Sequence, residues 1–483
     1  MPGSIQAHGV LLAVDPERGF TVVAVSRNAT EMLPSVPGGF IGRGIAGILG
    51  PCFTETLQRR FRDGKLPGNA AWQSTLRLDG HAQALDATVH GHAGLILIEL
   101  ERASARDAAD AQTAIRQLQE IIVDLRETGS DLDELAQIAA DGVRLLTGYE
   151  RVVIYRFDSD WNGQAIAEDK VADWNHSLAG VRFPASDIPA QARALYRHSP
   201  MRWVADRDAV AVPLDVDPAW TGGTPPHAID LSFARLRSLS PIHLQIHRNL
   251  GVNGSMSLSI LHRERLWGLV VCHHRQPHYP SHSQRSAASA LTDAFALRVG
   301  PTERANNDQA RREDLVRLST LLAHMAEADV VTVALTTGDV TIGHLFASTG
   351  AAVLHDGTVS LLGDTPPEAD VRKLVAWLRT RNDTAKLFQT SNVATVYPAW
   401  EQHAAVASGV LAVFLSADRS DLLLWFRPEE AELVSWGAAR TTRRRGPPGT
   451  PTSGGSRCGT ASRSHGRSGS WRWPKASGTA SPR

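Results

Sequence analysis

Few conformations are open to the segment Arg182-Phe-Pro-Ala-Ser-Asp187-Ile-Pro-Ala-Gln-Ala-Arg-Ala-Leu-Tyr196. Pro189 has no backbone N–H and biases Ile188 away from helix. The chain must therefore turn at Asp187-Ile188-Pro189 before a helix can run over Ala190–Tyr196. That turn fixes the direction of one acid and its main-chain carbonyl, beside Phe183 and Tyr196.

The rest of the chain must supply a scaffold for this turn. A length of 483 residues predicts about three domains. Apolar runs at Gly9–Val14, Phe20–Val25 and Gly94–Leu100, with Gly and Pro between them, predict an antiparallel sheet with short helices. Ile115, Leu118, Ile122 and Leu125 have helical spacing and predict a connector helix over Gln112–Thr128. Ser130 is read as the start of a second helix toward Leu146. Arg151–Phe157 and Gln164–Glu168 read as strands. Ser255–Leu261 and Leu266–Cys272 read as a hairpin around His262–Arg265. From Ser283 to Met325 the pattern is helical, with Leu315, Leu318, Leu322 and Met325 on one stripe. Such a helix fits a dimer or lever element and a plain connector equally well. Strands at Thr358–Leu362, Gly409–Leu415 and Asp421–Phe426, with a helix over Asp370–Arg381, predict a third domain. The fold class is thus α+β, with three domains joined by long helices.

Net charge is zero over the whole chain, which gives no bias toward nucleic acid or membrane. Ten of the 50 Lys and Arg, and none of the 50 Asp and Glu, lie in 438–483, leaving 40 basic against 50 acidic residues elsewhere. This tail lacks Leu, Ile, Val, Phe and Met, so it cannot bury an apolar face and is expected to be disordered. Its composition reads more as an out-of-frame translation of GC-rich DNA than as a nucleic-acid or membrane arm. Three widely separated cysteines form neither a disulfide framework nor a metal spacing and fit the reduced cytoplasm. Met1–Val10 lacks the pattern of a secretion leader. No apolar run approaches membrane-spanning length.

The Arg182–Tyr196 segment resembles the chromophore-pocket signature of bacteriophytochromes, light receptors that hold a linear tetrapyrrole. Ser240-Pro-Ile-His243 and Leu266-Trp-Gly-Leu-Val-Val-Cys-His273-His274 continue the same family pattern in order, and the resemblance runs from Pro2 to about Gly437. It implies a PAS-like domain over 1–105, a GAF-like bilin-binding domain with its connector helix over 106–302, and a PHY-like domain over 303–437. By resemblance, the Asp187 carbonyl and the His243 ring would face the pyrrole nitrogens, with Ile188 in the same turn. Arg202 and Arg237 match propionate-binding arginines, and Ser255 and Ser257 match hydroxyls near the other propionate. Tyr155, Phe183 and Tyr196 match aromatics around the rotating end ring, and His273 matches the histidine that bonds its carbonyl. Ile246 stands where the family places a tyrosine. Taken singly, each of these residues is more often a surface charge, a core aromatic or a structural histidine.

Bacteriophytochromes attach biliverdin through a cysteine just upstream of the motif that stands here as Pro2-Gly3-Ser4-Ile5-Gln6, whereas plant and cyanobacterial relatives use a cysteine beside the pocket histidine, where Leu244 stands here. Cys52, Cys272 and Cys458 match neither place, so biliverdin or a related bilin is expected to bind noncovalently. The family threads the segment carrying the motif through a loop of the GAF-like domain; with Ile5 so near the start, a stable knot is not expected. Val434-Ser-Trp-Gly437 matches the start of the family's tongue hairpin, but its returning Pro-Arg-x-Ser-Phe motif does not follow. Asp187 is therefore expected to lack an arginine partner. No kinase phosphoacceptor or ATP-binding motif follows either. The resulting expectation is a non-enzymatic, homodimeric red/far-red photoreceptor fragment whose output partner is not encoded in these residues.

Two rival readings stand beside it. A chromophore-free PAS/GAF module could sense another small ligand or only mediate dimerisation. An enzyme using Asp187 and His243 lacks a nucleophile elbow, paired carboxylates or a metal motif. Cys272-His273-His274 offers no metal site either, because alternation along a strand points the two histidines to opposite faces.

Overall fold

The structure is a computed structural model in which residues 3–66, 71–78, 83–104, 107–174, 176–223, 228–381, 386–416 and 419–429 are described. Trp436-Gly437, the basic tail and Cys458 lie outside them. The chain divides into two compact units, with the boundary between Ala305 and Asn306.

In the first unit, strands Gly9–Asp15, Thr21–Ser26, Leu85–His92 and Leu95–Arg102 form the centre of an antiparallel sheet, with Trp72–Leu76 at one edge. Val10, Leu12, Val14, Ile96, Ile98 and Leu100 face Phe53, Leu57 and Ile48 on one side of it. The other edge comes from far along the chain. Val212–Val216 pairs with Thr21–Ser26, and Ser4–Ile5 pairs with Val212 and Pro213. The second side of the sheet is closed by Trp220, Leu231, Ala234 and Leu236 against Ile5, Leu11, Val23 and Leu97.

The segment Ser4–Gln6 is tied into the sheet at several points. Ser4–Ile5 pairs with Val212–Pro213, while Ile5 also bridges to Arg237 and Ser238 N donates to Ser4 O at 3.0 Å. Gln6 N donates to Leu236 O at 2.7 Å, and its side-chain amide donates to Trp203 O at 3.0 Å and accepts from Ala205 N at 3.3 Å. Ile5 is fully buried. The segment is gripped by main-chain bonds on both edges, which depends on backbone pairing rather than on how much chain precedes it.

The second domain of this unit is a six-stranded antiparallel sheet in the order Met201–Val204, Gly254–His262, Arg265–His274, Arg151–Phe157, Gly163–Lys170, Arg182–Phe183. The predicted hairpin is present; Arg263 and Glu264 at its tip have φ of 49° and 62°, which matches the strand twist. One face carries Val152, Ile154, Met201, Trp203, Met256, Leu258, Val270 and Cys272 and packs on helix Leu132–Thr147 and on Phe295. That helix begins at Leu132, two residues after Ser130. Asp131 is the cap, its carboxylate accepting from Asp133 N and Glu134 N at 2.9 and 3.3 Å. Gly268 is fixed by close approach: a Cβ there would lie 2.1 Å from Tyr155 O on the neighbouring strand.

The helix His282–Glu327 contributes Ala288, Leu291, Phe295 and Val299 to the first unit and continues into the second. There, a five-stranded sheet in the order Thr358–Gly363, Gly350–His355, Leu422–Arg427, Gly409–Phe414, Leu387–Thr390 packs on helix Glu368–Thr380 through Val371, Leu374, Val375 and Leu378. The predicted stripe divides. Leu321, which it omitted, is buried against Trp425 with Met325 beside it, whereas Leu315, Leu318 and Leu322 are exposed. Helical spacing reveals a stripe but not which flank of it meets a core. Among the described residues, no helix is long and apolar enough to cross a membrane.

Candidate functional site

The second domain's sheet has one face free of the helix layer, and register decides what it carries. Arg202 lies opposite Ser257, Ser257 opposite Val271, and Val271 opposite Val153. Ser255 lies opposite His273, and His273 opposite Arg151. Directly opposed residues share a face, as do residues two apart. Tyr155, Arg202, Ser255, Ser257 and His273 therefore lie on one surface, the reverse of the one that holds Cys272.

The surface is roofed at one end by the predicted turn. Asp187 N donates to Pro184 O at 2.9 Å, and the helix Ala190–His198 begins just after Pro189. Arg193 donates to the carbonyls of Ala185 and Ile188 and lies 4.8 Å over the Trp161 ring, which holds the turn closed. Ser259 donates to Tyr196 O at 2.7 Å and ties this helix to the sheet. Phe183, Ile188 and Tyr196 pack on Tyr155, with the Phe183 ring edge-on to Tyr155 at 5.0 Å between centroids. Burial pushes the Tyr155 hydroxyl up and also raises the Asp187 carboxyl. The Asp187 side chain makes no hydrogen bond or ion pair among the described residues.

At the other end stands the helix Pro241–Asn249. Ser240 caps it by accepting from His243 N at 3.3 Å, and Pro241 follows at the first helical position, where a missing N–H is harmless. The cap sets His243 in the first turn. Burial, then the nearby Arg202 charge, lowers its pKa to about 4, so the ring is neutral at physiological pH. His247, one turn on, stands edge-to-face with it at 4.6 Å. On the sheet, Arg151 approaches His273 Nδ1 at 2.9 Å, and burial, then Arg151, pushes the His273 pKa well below the usual range. Nδ1 therefore accepts, which leaves Nε2 as the protonated nitrogen and a donor.

Arg202 and Arg237 are both present but differ in what they do. Arg202 donates to the main-chain carbonyls of Ala234, Arg237 and Ser238. Burial, then repulsion from Arg237, lowers its pKa to about 9. It is thereby a brace for the segment that presents Arg237, a role that residue type alone does not reveal. The residues that sequence reasoning missed are Arg151, which fixes the His273 tautomer, and His247. The spacing of His247, four residues after His243 on a helix, is the signal that could have found it.

Taken together, the turn, the capped helix and the sheet face form a slot with an aromatic end, two neutral histidines and two arginines. Such a slot suits a long, conjugated, anionic ligand with N–H donors. A cleft of about 220 Å³ adjoins it, lined in part by Gln6, His8, Arg207, Ser238 and Leu244. A larger one of about 350 Å³, beside Thr349 and Asp364 in the third domain, contains none of these residues.

Three α+β domains thus follow one another along the chain, and the middle one carries this slot. Residues 1–103 match the PAS fold family, 131–299 the GAF domain and 316–452 the phytochrome region, the last extending past Gly437. The chain is 33% identical to cyanobacterial phytochrome B of Nostoc sp. over 90% of its own length and 57% of that protein. It is 31% identical to a bacteriophytochrome of Xanthomonas campestris pv. campestris over 90% of this chain and 68% of that one. Among solved structures, a bacteriophytochrome from the photosynthetic bacterium R. palustris matches with a TM-score of 0.71 and 32% identity, covering 91% of this chain and 86% of the other. The photosensory core module of the Stigmatella aurantiaca phytochrome matches with a TM-score of 0.72 and 32% identity, covering the same shares. The chain belongs to the phytochrome family of photoreceptors. It spans a little over half the length, 57%, of the Nostoc relative.

Proposed function

We propose that this chain is the light-sensing part of a bacteriophytochrome and holds biliverdin or a related bilin on the open face of the second domain's sheet. The observation that carries this reading is the gathering of Tyr155, Arg202, Ser255, Ser257 and His273 on one sheet face between the Asp187 turn and His243. In this reading the bilin supplies the light-absorbing conjugated system and one rotatable end ring. Neutral His243 and the Asp187 carbonyl meet the pyrrole nitrogens, and His273, held by Arg151, offers Nε2–H to a ring carbonyl. Arg237 and Ser257 receive propionates, while Phe183, Ile188, Tyr155 and Tyr196 line the space in which a ring turns.

Binding is noncovalent in this proposal. Cys52 is exposed on the first domain's helix Pro51–Arg62, and Cys272 is buried on the reverse face of the sheet, where burial pushes its thiol up. The exposed Leu315, Leu318 and Leu322 support a homodimer through the long helix. The photosensory core catalyses nothing itself and passes its signal to a partner or output module, with the cytoplasm as the proposed setting.

The test is to mix the purified protein with biliverdin, record its visible spectrum before and after red light, and then denature it. A red-absorbing band that changes with light and is lost from the denatured chain is expected. Absence of any band overturns the reading in favour of a chromophore-free PAS/GAF module. Bilin fluorescence on the denatured protein band overturns the noncovalent part alone.

A further inference from the structure

His247 is 4% exposed, and its Nδ1 has no partner among the described residues. Its Nε2 lies 3.4 Å from the hydroxyl of Ser255, on the floor of the slot. Its ring also stands against His243. Burial, then His243, then Arg207 lowers its pKa to about 3, so it is a neutral imidazole with one N–H.

The position of that single proton has consequences for Ser255. With the proton on Nδ1, a buried N–H donor would have no acceptor, the costlier kind of orphan. Nε2 would then be bare and would take the Ser255 proton, and the serine would meet an anion with its lone pairs. With the proton on Nε2, the orphan is only a bare nitrogen. Nε2–H then donates to Ser255 Oγ, whose own O–H is free to point into the slot. A hydroxyl has one proton and two acceptor sites, so the tautomer of His247 decides which kind of group the slot sees.

We infer that His247 is a positioning residue for the ligand's carboxylate: it donates from Nε2 to Ser255 Oγ and turns the serine O–H toward that anion. The inference rests on the bilin reading for the identity of the carboxylate, and on geometry alone for the tautomer. A leucine of similar size at 247 would fill the space and leave the Ser255 proton without direction. A glutamine can return an N–H donor.

The experiment uses the full chain and two ligands, biliverdin and its dimethyl ester, which lacks the carboxylates. His247→Leu should weaken biliverdin by roughly tenfold, the loss of one directed charge-assisted hydrogen bond, and leave the ester nearly unchanged. His247→Gln should restore most of the preference for the acid, and adding His247→Leu to Ser255→Ala should cost nothing further. In the ligand-free protein, ¹⁵N imidazole spectra should show the resonances lost in His247→Gln as Nε2–H with bare Nδ1. Equal losses for acid and ester in His247→Leu, an unchanged acid affinity, or an Nδ1–H tautomer would each overturn the inference. Failure of the wild type to bind biliverdin at all would instead overturn the bilin reading, with the tautomer still decided by the spectra.

Discussion

Leu236 donates its backbone N–H to Glu99 Oε2 at 2.6 Å, across 137 positions of sequence and entirely within the protein interior. This bond links the first domain's sheet to the segment that carries Arg237. Burial raises the Glu99 carboxyl to about 7, against the bonds from Leu236 and Arg235 that lower it. His90 lies 3.7 Å away, but burial, then Arg235 and His92, lowers its pKa to about 4. The two are thus a neutral pair at moderately acidic pH rather than a salt bridge.

Glu99 accordingly gives the protein a pH-dependent stability of known sign. Between the ordinary value of 4.5 and about 7, the folded state holds a proton that the unfolded state has lost. Stability from this group is therefore full below about pH 4.5 and is lost as pH rises through 7. Glu99→Gln keeps an acceptor for Leu236 but cannot ionise. Relative to wild type it should be more stable at pH 8 by on the order of 3 kcal/mol, with the advantage gone at pH 4.5. Denaturant midpoints of both proteins at the two pH values check this.

Glu101 behaves oppositely. Although burial alone would raise it, the Arg285 charge and then His8 hold its carboxyl well below the usual range. Arg285 meets it at 2.8 Å and lies 4.1 Å over the Trp203 ring. Arg285→Leu strands a buried carboxylate and should cost about 3–5 kcal/mol at pH 7. Arg285→Leu with Glu101→Leu should recover a large part of that loss, as read by thermal unfolding of each variant.

Gly268→Ala places a methyl against the Tyr155 carbonyl, which is backbone and cannot rotate aside. The strands must part beneath the aromatic end of the slot. A loss of about 1–3 kcal/mol in stability is expected. The visible band with biliverdin should broaden or weaken more than in an alanine variant at Gly47, which is exposed and has open space around it. Unfolding midpoints and absorption spectra test both.

Arg202→Lys should weaken biliverdin by roughly tenfold even though the charge is kept, because an ammonium cannot hold carbonyls spread over Ala234, Arg237 and Ser238 as a guanidinium fork does. Its effect should also be non-additive with Arg237→Ala, since one braces the other. Biliverdin titrations of the two single variants and the double variant give the coupling.

Local chemistry was legible from the chain wherever it acts over a few residues. Pro189 reads as a turn followed by a helix, and both form as expected because neighbours in sequence decide them. The strands Arg151–Phe157 and Leu266–Cys272 were legible from their apolar runs, whereas the pairing that brings Tyr155 and His273 to one face required the register. Pairing between distant segments was not legible. Val212–Val216, with a proline in it, carries little strand signal of its own, and its place beside Thr21–Ser26 is set by burial of Trp220 and Leu236. The same limit hid the brace formed by Arg202 and the partnership of Arg151 with His273, since a charged residue in sequence does not disclose whether it will face an anion, a carbonyl or an imidazole.

The borrowed edge strand also orders events in time. As the chain leaves the ribosome, Thr21–Ser26 emerges with one side unpaired, and its partner has yet to be synthesised. Val212–Val216 follows roughly ten to forty seconds later at ordinary elongation rates. During that interval a nascent sheet displays an open backbone edge and the apolar side chains of Leu11, Val23 and Leu97. Synthesis of this receptor therefore includes a window of exposure to chaperones and to mispairing, which closes when a later domain delivers the missing strand.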